Sequence, residues 1–106
     1  MKLTIIVDDG CVHVNDAFLI RLNLSNTGIP PNIHALQWDD SRINKGWIEY
    51  KDTPEGFKPN NESIDALPSW ANACITEFET QMEVFVAQQN AMTDKNQPLT
   101  SGTQVI

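Results

Sequence analysis

Hydrophobic and polar positions alternate along the first half of the chain, as they do in strands that bury one face. Turn signals such as Asp8-Asp9-Gly10 separate the alternating segments, and Gly10 is free to adopt a positive φ. Successive strands joined by tight turns predict an antiparallel sheet. We assign five strands, at residues 3–7, 11–14, 17–24, 33–38 and 47–51.

The alternation also predicts which side chains face the core. The third strand places four apolar side chains on one face: Phe18, Ile20, Leu22 and Leu24. In the fifth strand, Ile48 and Tyr50 share the core side, so Trp47 points outward. The segment 52–61 that follows contains two prolines and a glycine, and we expect it to be an exposed loop.

The spacing of apolar residues changes to three and four after Asp65, which is typical of an amphipathic helix. A helix over residues 68–92 is about 37 Å long at 1.5 Å per residue, whereas a five-residue strand spans only about 17 Å. We therefore expect the sheet to cover only part of this helix. The far half, which bears Met82, Phe85 and Val86 on the apolar stripe, is left without a partner in the domain.

Length and pattern together predict one α+β domain over residues 1–92. It consists of a small antiparallel sheet of about five strands followed by one long C-terminal amphipathic helix. A chain of 106 residues is too short for two hydrophobic cores. Residues 93–106 are polar and include Pro98 and Gly102, so they are predicted to form a flexible tail.

The charge of the chain excludes two classes of partner. Fourteen acidic residues against seven basic ones give a net charge of −7. A sequence-independent nucleic-acid binder needs a cationic face, and so does a protein that binds anionic lipid. No apolar run approaches the roughly 20 residues that span a bilayer. We expect neither nucleic acid nor membrane as a partner.

Candidate catalytic or metal-binding groups are sparse. Cys11-x-His13 places a thiol and an imidazole on one strand face, but no second pair of ligands with zinc-site spacing follows. Cys74 belongs to the apolar stripe of the helix, where it is predicted to be a small core residue. His13 and His34 could each serve as a base, but no Ser or Cys elbow flanks either one. We therefore expect two reduced cysteines, no cofactor, no metal and no catalysis.

Apolar side chains that the domain does not bury are the better candidates for function. The outward Trp47 is a candidate interface anchor, because tryptophan is enriched at binding hot spots. The helix residues Met82, Phe85 and Val86 form the second candidate, since exposed apolar stripes mark association sites. Self-association and docking on a different protein both fit this pattern, as does a solvated helix end.

Two motifs resemble those of a group of small phage and prophage proteins. They are Ile33-His34-Ala35-Leu36-Gln37-Trp38-Asp39 and, after a short gap, Gly46-Trp47-Ile48-Glu49-Tyr50. The likeness covers roughly residues 3–78 and includes the late Ile-x-x-Leu-Pro stretch at 64–68. It implies a structural protein or assembly chaperone of a phage tail or tail fibre.

The partners implied by that resemblance are other tail or fibre proteins, in the host cytoplasm during assembly or in the virion. The resemblance brings no catalytic residues. The alternative is a phage-encoded acidic inhibitor of a host defence protein, whose carboxylates would occupy a basic nucleic-acid groove. Because the acidic residues are scattered over turns and the helix, the association role is our preferred interpretation.

Overall fold

The computed structural model describes residues 1–51 and 61–96, which form six strands and one helix. The strands are β1 (Lys2–Ile6), β2 (Cys11–Val14), β3 (Ala17–Leu19), β4 (Ile33–Asp39), β5 (Gly46–Tyr50) and β6 (Asn61–Ile64), and the helix is α1 (Ser69–Asn96). All strands belong to one antiparallel sheet with the order β3-β2-β1-β4-β5-β6. The predicted α+β class, a sheet followed by one long helix, is confirmed.

The central strands bury the face that the alternation predicts. In β1, Leu3 pairs with Val14 on one side and Trp38 on the other, and Ile5 pairs in the same way with Val12 and Leu36. Leu3 and Ile5 are 1% and 0% exposed. The buried side chains of neighbouring strands therefore lie in rows across the sheet, and these rows form one wall of the core.

The helix packs on this core face, on the side of β2 and β3. Its buried residues lie in its first half: Trp70, Ala71, Cys74 and Phe78. The carbonyl of Pro68 accepts hydrogen bonds from the N–H groups of Ala71 and Asn72, so the helix begins at Ser69, within one residue of the predicted start.

The prediction for the third strand was wrong beyond Leu19. Because Leu19 pairs with Val12 and Ala17 with Val14, Phe18 faces away from the core and is 58% exposed. The backbone then turns at Arg21, whose φ is +60°. In place of strand pairing, the N–H of Arg21 donates to the carbonyl of Asp9. Of the four residues predicted to be buried here, only Leu24 belongs to the buried core.

Two other boundaries differ from the sequence prediction. Residues 61–64 form the edge strand β6 beside β5, because backbone pairing extends the sheet through a segment with only one apolar residue. The helix continues to Asn96, four residues beyond the predicted end at Met92. The rest of the predicted loop, 52–60, and of the predicted tail, 97–106, lie outside the described residues.

Candidate partner-binding surfaces

One face of α1 changes from buried to exposed along its length. Ala71 and Cys74 are fully buried and Phe78 is 6% exposed, whereas Phe85 and Val86 are each 48% exposed. An α-helix turns about 100° per residue, so Phe85 lies within about 20° of Phe78 and about 10 Å further along the axis. The same stripe that fills the core therefore continues into solvent.

The exposure follows from the unequal lengths of helix and sheet. Twenty-eight residues make a helix about 42 Å long, longer than the width of the domain beneath it. The described part of the chain extends 63 × 30 × 20 Å and has a radius of gyration of 18.7 Å. A compact domain of this length has a radius of about 13 Å. The second half of α1 thus projects from the body of the domain.

Met82, Phe85 and Val86, which we call the distal stripe, occupy the start of this projecting half. Met82 is half-buried and packs against the edge of the core, so the free apolar surface begins at Phe85 rather than at Met82. Val84 is 44% exposed. It lies on another side of the helix, about 100° around the axis from Phe85 and about 160° from Val86. It serves as an internal comparison for the stripe.

Charges beside the distal stripe are of one sign. The described side chains of the helix, 69–91, include Glu77, Glu79 and Glu83 and no lysine or arginine. Glu79 and Glu83 lie one turn apart on the side of Val86, and both are exposed. On the other side, the Nε2 of Gln81 donates to the carboxylate of Glu77 at 3.1 Å. The stripe is therefore an apolar surface with acidic borders.

The second candidate surface is the sheet face opposite the core, where the two motifs meet. Gln37 pairs with Trp47 across β4 and β5, and both are half-buried on this outer face, as predicted for Trp47. The hydroxyl of Thr4 donates to Oε1 of Gln37 at 2.8 Å, and the indole N–H of Trp47 donates to Glu49 at 2.8 Å. These bonds hold the polar row in place.

Three further motif residues, Trp38, Gly46 and Tyr50, are structural. Trp38 pairs with Gly46 on the core face and is 8% exposed. A Cβ on Gly46 would meet first the backbone carbonyl oxygen of Gln37 and then, at 2.8 Å, the Trp38 ring, both closer than packed atoms approach. Glycine at this position therefore lets the indole lie across β5. Tyr50, also on the core face, donates its hydroxyl hydrogen to Glu62 on the edge strand β6.

Sequence reasoning missed a depression beside Trp47. It has a volume of about 220 Å³, lies at one end of the outer face, and we call it the outer-face depression. It is lined by Lys2, Thr4, Gln37, Trp38, Asp39, Arg42, Lys45 and Trp47. Three cations from β1 and from the β4–β5 loop meet here. Only the sheet order, with β1 beside β4, brings them together.

The residues considered for catalysis or metal binding do not converge. Cys11 and His13 lie on the outer face, whereas Cys74 is buried in the core on the other side of the sheet. Burial, and to a smaller extent the charge of Asp9, raises the pKa of the Cys11 thiol. Burial also raises the pKa of the Cys74 thiol, and a hydrogen bond with Thr27 offsets part of that rise. Higher pKa values reduce the thiolate fraction. Among the described residues, no three His, Cys, Asp or Glu side chains are grouped as metal ligands.

Comparisons with known proteins leave the family open. Within residues 1–51 and 61–96, no helix has the length and apolarity that crossing a bilayer requires. Searches against protein-family models, curated proteins and solved structures found no match to this chain. The likeness to small phage and prophage proteins therefore stays a prediction from the motif residues alone.

Proposed function

We propose that this protein is a structural or assembly component of a phage tail or tail fibre that acts through protein–protein contacts. Its partner-binding residues are Trp47 on the sheet and Met82, Phe85 and Val86 on the helix. The role in a tail comes from the motif resemblance. The contact role is supported by one observation in particular, the rise in exposure along a single helix face from Phe78 to Phe85.

The exposed part of Phe85 sets the scale of what the distal stripe can contribute to binding. A phenylalanine side chain buries roughly 200 Å² when fully covered, so covering the exposed half of Phe85 removes about 100 Å² from water. At about 25 cal/mol per Å² this contributes about 2.5 kcal/mol. Val86 and the outer edge of Met82 extend the same patch. A partner that covers all three gains a small apolar hot spot.

The charges beside the stripe favour a partner of different sequence. A second copy would bring three more glutamates and no basic residue from helix 69–91 to the same contact. Like charges brought together at an interface oppose binding. A helix or loop with apolar residues bordered by lysine or arginine complements the surface instead. The preferred occupant is therefore another tail or fibre protein with an apolar and basic segment.

The proposed role is tested by measuring this chain in purified particles of a phage that encodes it. Quantitative mass spectrometry should find it in fixed ratio to the major tail protein if it is a structural part. If it is absent, deletion of its gene should leave incomplete tails or fibres, as expected for an assembly chaperone. Absence from particles together with normal tails would contradict the proposal.

Salt separates this role from that of an acidic inhibitor. An apolar helix contact should keep most of its affinity as ionic strength rises, because screening acts on exposed charges. Carboxylates placed in a basic groove would lose affinity steeply over the same range. Binding of an isolated partner, measured between low salt and about 0.5 M, where the Debye length is about 4 Å, distinguishes the two.

A further inference from the structure

We propose that the outer-face depression binds a carboxylate group carried by a segment of a partner protein. This inference does not rest on the helix contact, because the depression lies on the sheet face opposite the one that α1 covers. It assigns a role to Gln37 and Trp47, two motif residues that lie on the outer face and are not part of the core.

The first support is an excess of unpaired positive charge. Lys2, Arg42 and Lys45 are three of only seven basic residues in a chain of net charge −7. Within the described residues, the ion pairs join Met1 to Asp40 and Lys51 to Asp8, so none of these three cations is paired. An acidic protein that gathers three cations without salt-bridge partners around one concavity presents a local site for an anion.

Asp39, the one carboxylate that lines the depression, is already engaged. It accepts hydrogen bonds from the backbone N–H and the hydroxyl of Ser41 at 3.1 and 2.6 Å. These bonds, together with the charges of Lys2 and Arg42, lower the pKa of the Asp39 carboxyl. Asp39 thus holds the loop in shape and offsets only part of the positive charge.

The loop that carries two of the cations is ordered by its own backbone. The N–H of Asp39 donates to the carbonyl of Lys45 at 2.7 Å, which closes the loop between β4 and β5. The N–H of Arg42 donates to the carbonyl of Asp39 at 3.2 Å. Arg42 and Lys45 are therefore anchored to the sheet end, which reduces the entropy that binding must overcome.

The floor of the outer-face depression supplies hydrogen-bond donors and a flat apolar surface. Gln37 uses Oε1 to accept from Thr4, and its amide N–H groups have no partner among the described residues. Trp47 has its indole N–H bonded to Glu49, so its ring contributes apolar surface. A carboxylate that contacts Arg42 or Lys45 can accept from the Gln37 amide while its methylene groups pack on Trp47.

Size and net charge favour a protein carboxylate over a nucleic acid. About 220 Å³ is smaller than the roughly 300–1,000 Å³ typical of small-molecule sites, and suits one or two side chains. A nucleic acid needs a cationic track along many phosphates, which a chain of net charge −7 opposes outside this one spot. An aspartate or glutamate on a partner's loop fits this volume and needs a cationic surface at one spot only.

The test uses the full chain labelled with ¹⁵N and two synthetic peptides, acetyl-Ala-Glu-Ala-Glu-Ala-amide and the same peptide with glutamine. The glutamate peptide should shift the Trp47 indole and Lys45 amide resonances saturably, and the glutamine peptide should not. Replacing Arg42 and Lys45 together by glutamine should weaken binding about tenfold, the sum expected for two exposed charge contacts. The matched double variant Arg21→Gln/Lys51→Gln removes the same charge elsewhere and should change affinity less than about twofold.

Each alternative has its own result. Equal shifts with the glutamine peptide, or equal weakening by both double variants, would overturn the proposal. Stronger perturbation by inorganic phosphate than by the glutamate peptide at equal concentration would indicate a small-anion site instead. Stronger perturbation by a single-stranded oligonucleotide would indicate nucleic acid. Spectra of the variants without peptide should overlay on the wild type, because Arg42 and Lys45 are exposed.

Discussion

Replacing Phe78 and Phe85 by alanine, one at a time, separates the part of the helix stripe that stabilises the domain from the part that does not. Phe78 is 6% exposed within the core, and phenylalanine-to-alanine changes at such sites cost about 3–5 kcal/mol. Phe85 is 48% exposed on the same face, so much less packing is lost. The higher helix propensity of alanine, about 0.5 kcal/mol, offsets part of that loss. We expect a cost of about 1 kcal/mol or less for Phe85→Ala.

Urea unfolding followed by circular dichroism measures the difference. With a slope of about 2 kcal/mol per M, Phe78→Ala should lower the midpoint by about 2 M and Phe85→Ala by less than about 0.5 M. Both variants should be measured at several protein concentrations, so that self-association is detected as a shift of the midpoint. If Phe85→Ala destabilises the domain as much as Phe78→Ala, independently of concentration, the distal stripe is packed within the monomer and is not a partner surface.

Two further predictions test the architecture. Gly46→Ala should destabilise the fold by about 1–3 kcal/mol, because its Cβ would collide with the Gln37 carbonyl oxygen and the Trp38 ring; an unchanged thermal midpoint would refute this packing. Cys11 should react with a maleimide in the native state, faster as pH rises, since its pKa is raised and only the thiolate attacks. Cys74 should react only after unfolding, because it is fully buried. Equal rates of reaction for the two thiols in the native state would contradict the burial of Cys74.

Alternation of side chains predicted the sheet wherever each strand has a mostly apolar inner face. Leu3 and Ile5 on β1 illustrate this, because each has an apolar partner on both neighbouring strands, which enforces the register. The same rule of alternation made the predicted third strand too long. Its apolar residues alternate up to Leu24, but the positive φ of Arg21 and its backbone bond to Asp9 end the strand earlier. The spacing of apolar residues in a sequence carries no information about such backbone hydrogen bonds.

The distal stripe was predictable from length alone, since a helix of this size exceeds what a small sheet covers. The strand β6 was not, because an edge strand of Asn61, Glu62 and Ser63 has no apolar alternation and depends on pairing with β5. The outer-face depression was also out of reach. Lys2 and Arg42 are forty residues apart in sequence, and only the order of strands in the sheet places them on one rim.

The central claim is that the distal stripe binds another tail protein, and matched valine variants test it most directly. Val86 on the stripe and Val84 off it are 48% and 44% exposed, so serine at either position changes the same side chain at nearly equal exposure. The measurement is the fraction of complete tails, counted by electron microscopy, in a phage that encodes each variant. The proposal predicts that Val86→Ser, alone or with Phe85→Ser, reduces complete tails while Val84→Ser leaves them at the wild-type level. Normal tails with Val86→Ser and Phe85→Ser combined would contradict it.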